Sequence, residues 1–252
     1  MKKTALAIAI TTVPMMAVGE VIDTRGSIND QSEARENLKI EHVSIIGERV
    51  EKVAGSAYVV DELELEKFEY SDIHRMVKQV PGVYFQEEDG YGLRANIGIR
   101  GSGSGRSGKV TLMEDGVLIA PAPYAAPEAY YFPTSGRMSA IEVLKGPELL
   151  RYGPFTVGGA INLISTPIPE EAEGFVNVEI GENSAQKSHV HYGATQGQWG
   201  FLLESYQEET LGFKDIDRSN RDTGYDKEDY VAKLRWRSAE GAEHPQQLDL
   251  KL

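Results

Sequence analysis

The sequence predicts a compact α+β domain followed by a series of antiparallel β-strands, in a chain that is exported from the cytoplasm. Between residues 51 and 167, short β-type runs and two helical segments are separated by Gly and Pro turns. From residue 168 onwards, apolar and polar residues alternate with the period of two that is typical of strands. The chain begins with Met1-Lys2-Lys3 and an apolar run, which is the pattern of a secretory signal peptide.

Composition excludes several classes of function. The 252 residues include 26 Lys and Arg against 39 Asp and Glu, which gives a net charge of −13. Nucleic-acid binding needs clustered positive charge, so we expect no nucleic-acid partner. The absence of Cys excludes disulfides and thiolate chemistry. Because no catalytic constellation stands out, we expect neither an enzyme with catalytic residues nor a resident cofactor or metal.

The N-terminal 50 residues divide into three predicted segments. Residues 1–19 form the signal peptide, with cleavage before Glu20, because the apolar run is shorter than the roughly 20 residues that span a bilayer. Residues 20–40 are polar and are predicted to be a flexible segment. Within residues 41–50, the stretch up to Gly47 is short, extended and apolar. It suits either strand addition to another protein's sheet or an ordinary edge strand of the next domain.

The α+β domain is predicted over residues 51–167. Asp61 caps a first helix over 62–68. A second helix starts at Ser71, and Pro81-Gly82 ends it. Strands are predicted at 57–60, 83–86, 95–100, 109–113, 117–120, 141–144 and 160–165, and a short helical turn at 148–152.

Residues 168–252 predict amphipathic strands. Val176, Val178 and Ile180 are separated by polar residues, and the same alternation recurs around residues 190–194, 199–203 and 230–236. This pattern is typical of membrane barrel strands, with apolar side chains toward lipid and polar side chains toward the lumen. A soluble sandwich produces the same alternation, so the pattern alone leaves both possibilities open.

One stretch resembles a phosphate-binding loop but does not meet the requirements of that motif. Gly103 to Lys109 matches the first seven positions of a phosphate-binding loop, but Val110 stands where a Mg²⁺-binding Ser or Thr is required. That motif must also open a helix, whereas Lys109 precedes a β-type run. We therefore expect no nucleotide site.

Five stretches of the α+β domain carry a family likeness. The chain resembles the plug of TonB-dependent outer-membrane receptors in its order and spacing of VPGV, IGIRG, LMEDGV, IEVLKGP and RYGPFTVGGAINLIS, which lie at 80–83, 97–101, 112–117, 141–147 and 151–165. The stretch APAPYAAPE at 120–128 is most similar to the ferric-dicitrate and siderophore branch. The likeness covers about residues 41 to 240.

The resemblance implies a plug inside a transmembrane β-barrel of roughly 22 strands, in the outer membrane of a Gram-negative bacterium. It implies active import of ferric citrate or another ferric siderophore, driven by TonB and its inner-membrane energising complex, with outer-membrane lipid around the barrel. Residues 168–252 are far shorter than the roughly 220 residues that 22 strands of about 10 residues need. We therefore expect these residues to form the first strands of an incomplete barrel, and the chain to be either a fragment of a longer receptor or the product of a truncated reading frame.

The resemblance also assigns candidate site residues. Within the position of the TonB box, the coupling residues are Glu41, His42, Val43, Ser44, Ile45, Ile46 and Gly47. Arg and Lys suit the carboxylate oxygens of an anionic chelate. The candidate ligand-binding residues in the two loops that the resemblance places apically are Arg106, Lys109, Tyr124, Glu128 and Tyr130. Cobalamin, another metal chelate or a sugar are alternative cargoes, and a non-transporting fragment or docking receptor is an alternative function.

Overall fold

The computed structural model describes residues 56–252 apart from 68, 120–131, 154–155, 215, 218–220, 240 and 243, and apart from the side chains of 148, 150 and 151. The predicted signal peptide, the flexible segment, residues 41–50 and the candidate ligands Tyr124, Glu128 and Tyr130 lie outside these residues. The predicted domain boundaries stay predictions.

A five-stranded sheet, here called the central sheet, organises the α+β domain. Its strands are β1 (Ser56–Val60), β4 (Val110–Glu114), β5 (Val117–Leu118), β6 (Met138–Lys145) and β7 (Gly159–Ser165). They lie in the order β1-β6-β7-β4-β5, with β4 and β7 parallel and the other pairs antiparallel. Every residue of β6 and β7 is buried, because both faces of the sheet are covered.

Two short helices and a hairpin cover one face of the central sheet. Helix α1 (Glu62–Glu66) is capped by Asp61, and α2 (Ile73–Val77) is capped by Asp72. Strands β2 (Val83–Gln86) and β3 (Asn96–Ile99) form the hairpin. Both helices are shorter than predicted. After the second helix the chain tightens, because the Val80 amide donates to the Val77 carbonyl, a bond of the 3₁₀ type. The core contains these fully or nearly fully buried residues: Ile73, Val77, Ile97, Ile99, Ile141, Val143, Ile161 and Leu163.

The remaining strands form a second sheet, here called the wall sheet. It is a meander of β8 (Glu173–Ile180), β9 (Gln186–Gln196), β10 (Trp199–Thr210), β11 (Tyr225–Arg237) and β12 (Gln247–Lys251). One face exposes apolar side chains, with Val178 at 64% and Leu203 at 57% exposure, whereas Leu202 and Tyr206 are fully buried on the other face. A sandwich would cover the apolar face, so its exposure favours strands of a lipid-facing barrel. Within the described residues, no helix has the length and apolar character needed to cross a bilayer.

The two ends of the wall sheet differ in their connections. At one end, here called the Trp199 end, Gly197 and Gln198 form the tight turn between β9 and β10. At the opposite end, here called the Tyr225 end, residues 211–224 make a long connection between β10 and β11. The connection from β11 to β12, over residues 238–246, is also at the Trp199 end, so that end carries a longer loop as well as the tight turn.

Candidate functional site at the contact between the two sheets

Arg137 joins the α+β domain to the wall sheet. It immediately precedes β6, and its side chain is only 3% exposed. Its Nε donates to Asp229 Oδ2 of β11 at 2.6 Å, and its Nη2 donates to Glu114 Oε1 of β4 at 2.8 Å. Burial alone would lower the pKa of the guanidinium, but the two carboxylates outweigh it and raise that pKa above its ordinary value. Arg137 is therefore a permanent positive charge between two domains.

Two lysines of the wall sheet contact the same corner of the central sheet. Lys233 donates from Nζ to the Ser165 hydroxyl and to the Thr166 carbonyl, each at 2.6 Å. Lys251 contacts Glu114 and also donates to Asp115 Oδ2 at 2.6 Å. The contact between the sheets thus combines long, charged side chains that reach polar groups with the buried Leu202 and Tyr206 of the wall sheet.

Asp115 is placed for this role by the turn between β4 and β5. Asp115 and Gly116 have positive φ angles of 50° and 79°, as the Asp-Gly turn chemistry requires. The Asp115 carboxylate accepts the Ser165 backbone N–H at 2.9 Å. Burial would raise the pKa of Asp115, but the ammonium groups of Lys233 and Lys251 lower it more strongly, so the net pKa lies below its ordinary value. Glu114 and Asp115 of the plug therefore both take part in the charged contact with the wall sheet.

Glu204 forms a third polar contact. Its Oε1 accepts from the Thr166 hydroxyl at 2.6 Å and lies 2.8 Å from His189 Nε2. The His189 and His191 rings lie 5.6 Å apart and both contact Phe175. A metal site on this histidine pair would need further ligands, and the described residues contain no such three-ligand group around it.

A pocket of about 360 Å³ opens at the Tyr225 end of the contact. Tyr91, from the loop between β2 and β3, packs edge-on against Phe213 and Tyr225 with ring centroids 5.1 and 4.8 Å apart. Lys214 fixes the same loop by donating to the Asp89 carbonyl at 2.6 Å. Seven charged side chains line the pocket, five acidic and two basic: Glu69, Asp72, Glu179, Glu208, Glu209, Arg75 and Lys187.

The structure describes two of the predicted ligand-binding residues. Arg106 and Lys109 are both exposed. The Arg106 backbone N–H donates to Asn96 Oδ1 at 2.8 Å, so Arg106 lies beside the start of β3. Neither residue lines that pocket, and their role in binding stays a prediction. Lys109 precedes strand β4 rather than a helix, which removes the structural basis for a phosphate-binding loop.

Sequence reasoning missed Arg137, Lys233, Lys251 and the buried Lys145. Lys145 is 4% exposed and donates to the Pro81 carbonyl at 2.7 Å, and burial together with the nearby Arg100 lowers its pKa. Arg137 and Asp229 are 92 positions apart. No spacing pattern links such residues, so only the fold reveals the pairs.

Comparison with known proteins identifies the architecture. Residues 49–160 match the family model of the TonB-dependent receptor plug domain. The vitamin B12 transporter BtuB of Vibrio vulnificus is 32% identical over 165 residues, which cover 64% of this chain and 26% of that protein. BtuB of Photobacterium profundum is 25% identical over 202 residues, covering 79% of this chain and 31% of that protein.

Solved structures show the same fold. The unliganded ferric citrate transporter FecA superposes with a TM-score of 0.58 at 21% identity, over 77% of this chain and 30% of FecA. The siderophore receptor PirA from Acinetobacter baumannii gives a TM-score of 0.57 at 22% identity, over 81% of this chain and 32% of PirA. The chain therefore spans between about a quarter and a third of these relatives. The plug motifs and the family model together identify residues 49–160 as a TonB-dependent receptor plug domain, and the fold matches identify the strands that follow as antiparallel strands of an outer-membrane β-barrel.

Proposed function

We propose that the receptor imports a metal chelate across the outer membrane by TonB-coupled remodelling of the plug. The observation that carries this proposal is the chemistry of the contact between plug and wall. Arg137, Lys233 and Lys251 hold the plug through hydrogen-bonded ion pairs and backbone contacts. Such partners can exchange for water, so the charged part of the contact can open and re-form as the plug shifts.

The proposed coupling segment is Glu41 to Gly47. An extended apolar stretch of this kind can pair with the edge of a sheet in another protein. The segment precedes β1, which lies at the edge of the central sheet and, among the described strands, pairs with β6 alone. TonB, energised by the inner membrane, would therefore pull on the plug through its edge strand.

The first candidate cargo is a ferric siderophore or ferric citrate. Arg106 and Lys109 are exposed on the plug and offer guanidinium and ammonium groups to carboxylate oxygens. The fold likeness to FecA and PirA is consistent with this cargo class.

Cobalamin is a second candidate, and two observations favour it. Two sequence relatives are vitamin B12 transporters. The pocket at the Tyr225 end is lined by five carboxylates and two cations, which disfavours an anionic chelate there and is compatible with an uncharged one.

Uptake into cells that express the whole receptor would test the proposal. Labelled ferric citrate, a panel of other ferric siderophores and labelled cobalamin would each be offered to cells with the intact receptor and to cells lacking residues 41–47. Deletion of residues 27–33, an equal length of the preceding polar segment, is the matched control. We expect uptake of one chelate that disappears only when residues 41–47 are removed.

The cargo that enters decides between the two candidates. Uptake of a ferric chelate supports the first, and uptake of cobalamin supports the second. If the receptor is present in the outer membrane and no chelate enters, or if uptake survives loss of residues 41–47, the proposed function is wrong.

A further inference from the structure

Three potential metal ligands converge at the start of α2 and the end of β2. Asp72, His74 and Glu87 each offer one ligand atom, and these atoms all lie within 4.8 Å of one another. Asp72 caps α2, His74 lies in its first turn, and Glu87 directly follows β2. Asp72 and His74 are buried whereas Glu87 is exposed, so the cluster has a closed side and an open side.

The His74 ring is an unsatisfied polar group inside the plug. Its residue is 1% exposed, and within the described part of the chain neither ring nitrogen has a hydrogen-bond partner. Its Nδ1 approaches Asp72 Oδ1 at 3.4 Å. Buried polar groups without partners are rare in folded proteins because losing hydration without replacement is unfavourable. An ion bound to one nitrogen would supply the missing interaction.

The surroundings hold both buried ligands in place. The His74 ring stacks on Phe85 of β2, with centroids 4.8 Å apart and 12° between the planes. Asp72 Oδ1 accepts the His74 backbone N–H at 2.8 Å. Gly92 presses against this carboxylate so closely that a Cβ there would lie 2.1 Å from Asp72 Oδ1. Packing therefore fixes the two buried donors, Asp72 and His74.

We propose that Asp72, His74 and Glu87 bind one borderline divalent cation such as Zn²⁺, with water in the remaining coordination positions. One imidazole and two carboxylates suit such ions, whose bonds to N and O are about 2.0–2.2 Å long. Ligand atoms around one ion then lie roughly 3–4 Å apart, so the observed cluster needs movements of about 1 Å to close on it. The exposed Glu87 side chain can make that movement.

The neighbourhood of the site shapes its affinity and its effect. Arg75 Nε lies 3.7 Å from Asp72 Oδ2 and competes with a cation for that oxygen. Asp72 also lines the pocket at the Tyr225 end. A bound ion would tie the start of α2 to the end of β2 and stiffen one side of that pocket.

Zinc binding to the whole receptor, purified from outer membranes in detergent and stripped with a chelator, tests the site. Zn²⁺ would be titrated calorimetrically, and Co²⁺ would report the donor set through its visible absorption. The test variants are His74→Gln and Glu87→Gln. The matched controls are Glu88→Gln, which removes the adjacent exposed carboxylate, and His244→Gln, which removes an exposed histidine in the 238–246 loop.

We expect one Zn²⁺ site whose affinity falls about 10-fold or more in each test variant and stays unchanged in both controls, where 10-fold corresponds to about 1.4 kcal/mol. Glu87→Gln alters only an exposed side chain, so its result stands even if His74→Gln unfolds. Absence of saturable Zn²⁺ binding overturns the proposal. Equal weakening by Glu87→Gln and Glu88→Gln also overturns it, because that result would reflect surface charge alone.

Discussion

Replacement of Arg137 by Met should loosen the plug from the barrel wall. The substitution keeps most of the side-chain volume but removes the donors to Asp229 at 2.6 Å and to Glu114 at 2.8 Å. Breaking a buried ion pair from one side costs about 3–5 kcal/mol. We expect a loss of about 3 kcal/mol for two reasons. Lys251 still pairs with Glu114 in the variant, and Nη1 of Arg137 has no hydrogen-bond partner to lose among the described residues.

Hydrogen exchange of the whole receptor would measure this loss, because local opening governs the protection of β6. A loss of about 3 kcal/mol corresponds to roughly 100-fold faster exchange at residues 138–145. Arg94→Met, which removes an exposed arginine, is the control. In an Asp229→Asn background the same substitution should cost less, since the pair is already broken. Acceleration below about threefold, or full additivity of the two changes, would refute the proposed role of this pair.

Three further predictions concern the same interface and the wall. Gly136→Ala should lower the thermal midpoint and the free energy of unfolding, the latter by about 1–3 kcal/mol, because the new Cβ would lie 2.3 Å from the Tyr206 hydroxyl. The control Gly105→Ala, whose Cβ meets open space, should leave the thermal midpoint unchanged. Asp115→Asn should destabilise the receptor at neutral pH, and the difference in stability from the wild type should shrink as the pH falls. Folding lowers the pKa of Asp115 below its value of about 3.9 in the unfolded chain. The stabilisation by the ionised carboxylate is therefore fully present above about pH 3.9 and is lost as the pH falls through the folded pKa. Denaturant midpoints at pH 7 and pH 3 would check this, and a constant difference would contradict it. Leu203→Arg should cost about 2–4 kcal/mol if that position faces the bilayer midplane, measured as lost resistance of the folded receptor to detergent denaturation.

Local turn chemistry made part of the fold predictable. Pro81-Gly82 and Asp115-Gly116 fix where strands begin and end, and β2 has the bounds expected from the sequence. The predicted start of β6 at Ile141 is wrong, since the strand begins at Met138. The polar Ser139 resembles a loop residue, but it is buried and donates to the Ile164 carbonyl at 3.2 Å. Tertiary burial rather than local pattern therefore extends this strand.

The candidate site was predictable only on its plug side. Glu114 and Asp115 lie in the LMEDGV stretch that carries the family likeness, and charges beside a tight turn need partners when they are buried. Their partners Lys233 and Lys251 come from strands whose polar residues look alike in the sequence, so register alone selects them. His74 carried no signal, because a histidine within an apolar helical stretch is usually an ordinary core residue, and its unpartnered nitrogens are visible only after packing.

The position of β1 has a mechanical consequence. This strand is the first described element of the chain and an edge of the central sheet, with five residue pairs to β6 and no second neighbour among the described strands. A force transmitted from the N-terminal side meets this single ladder before it reaches β6 or β7. The first strand, β1, can therefore separate from β6 while the other four strands stay paired. Opening of the sheet then proceeds in small steps, strand by strand, and does not require all inter-strand hydrogen bonds to break at once.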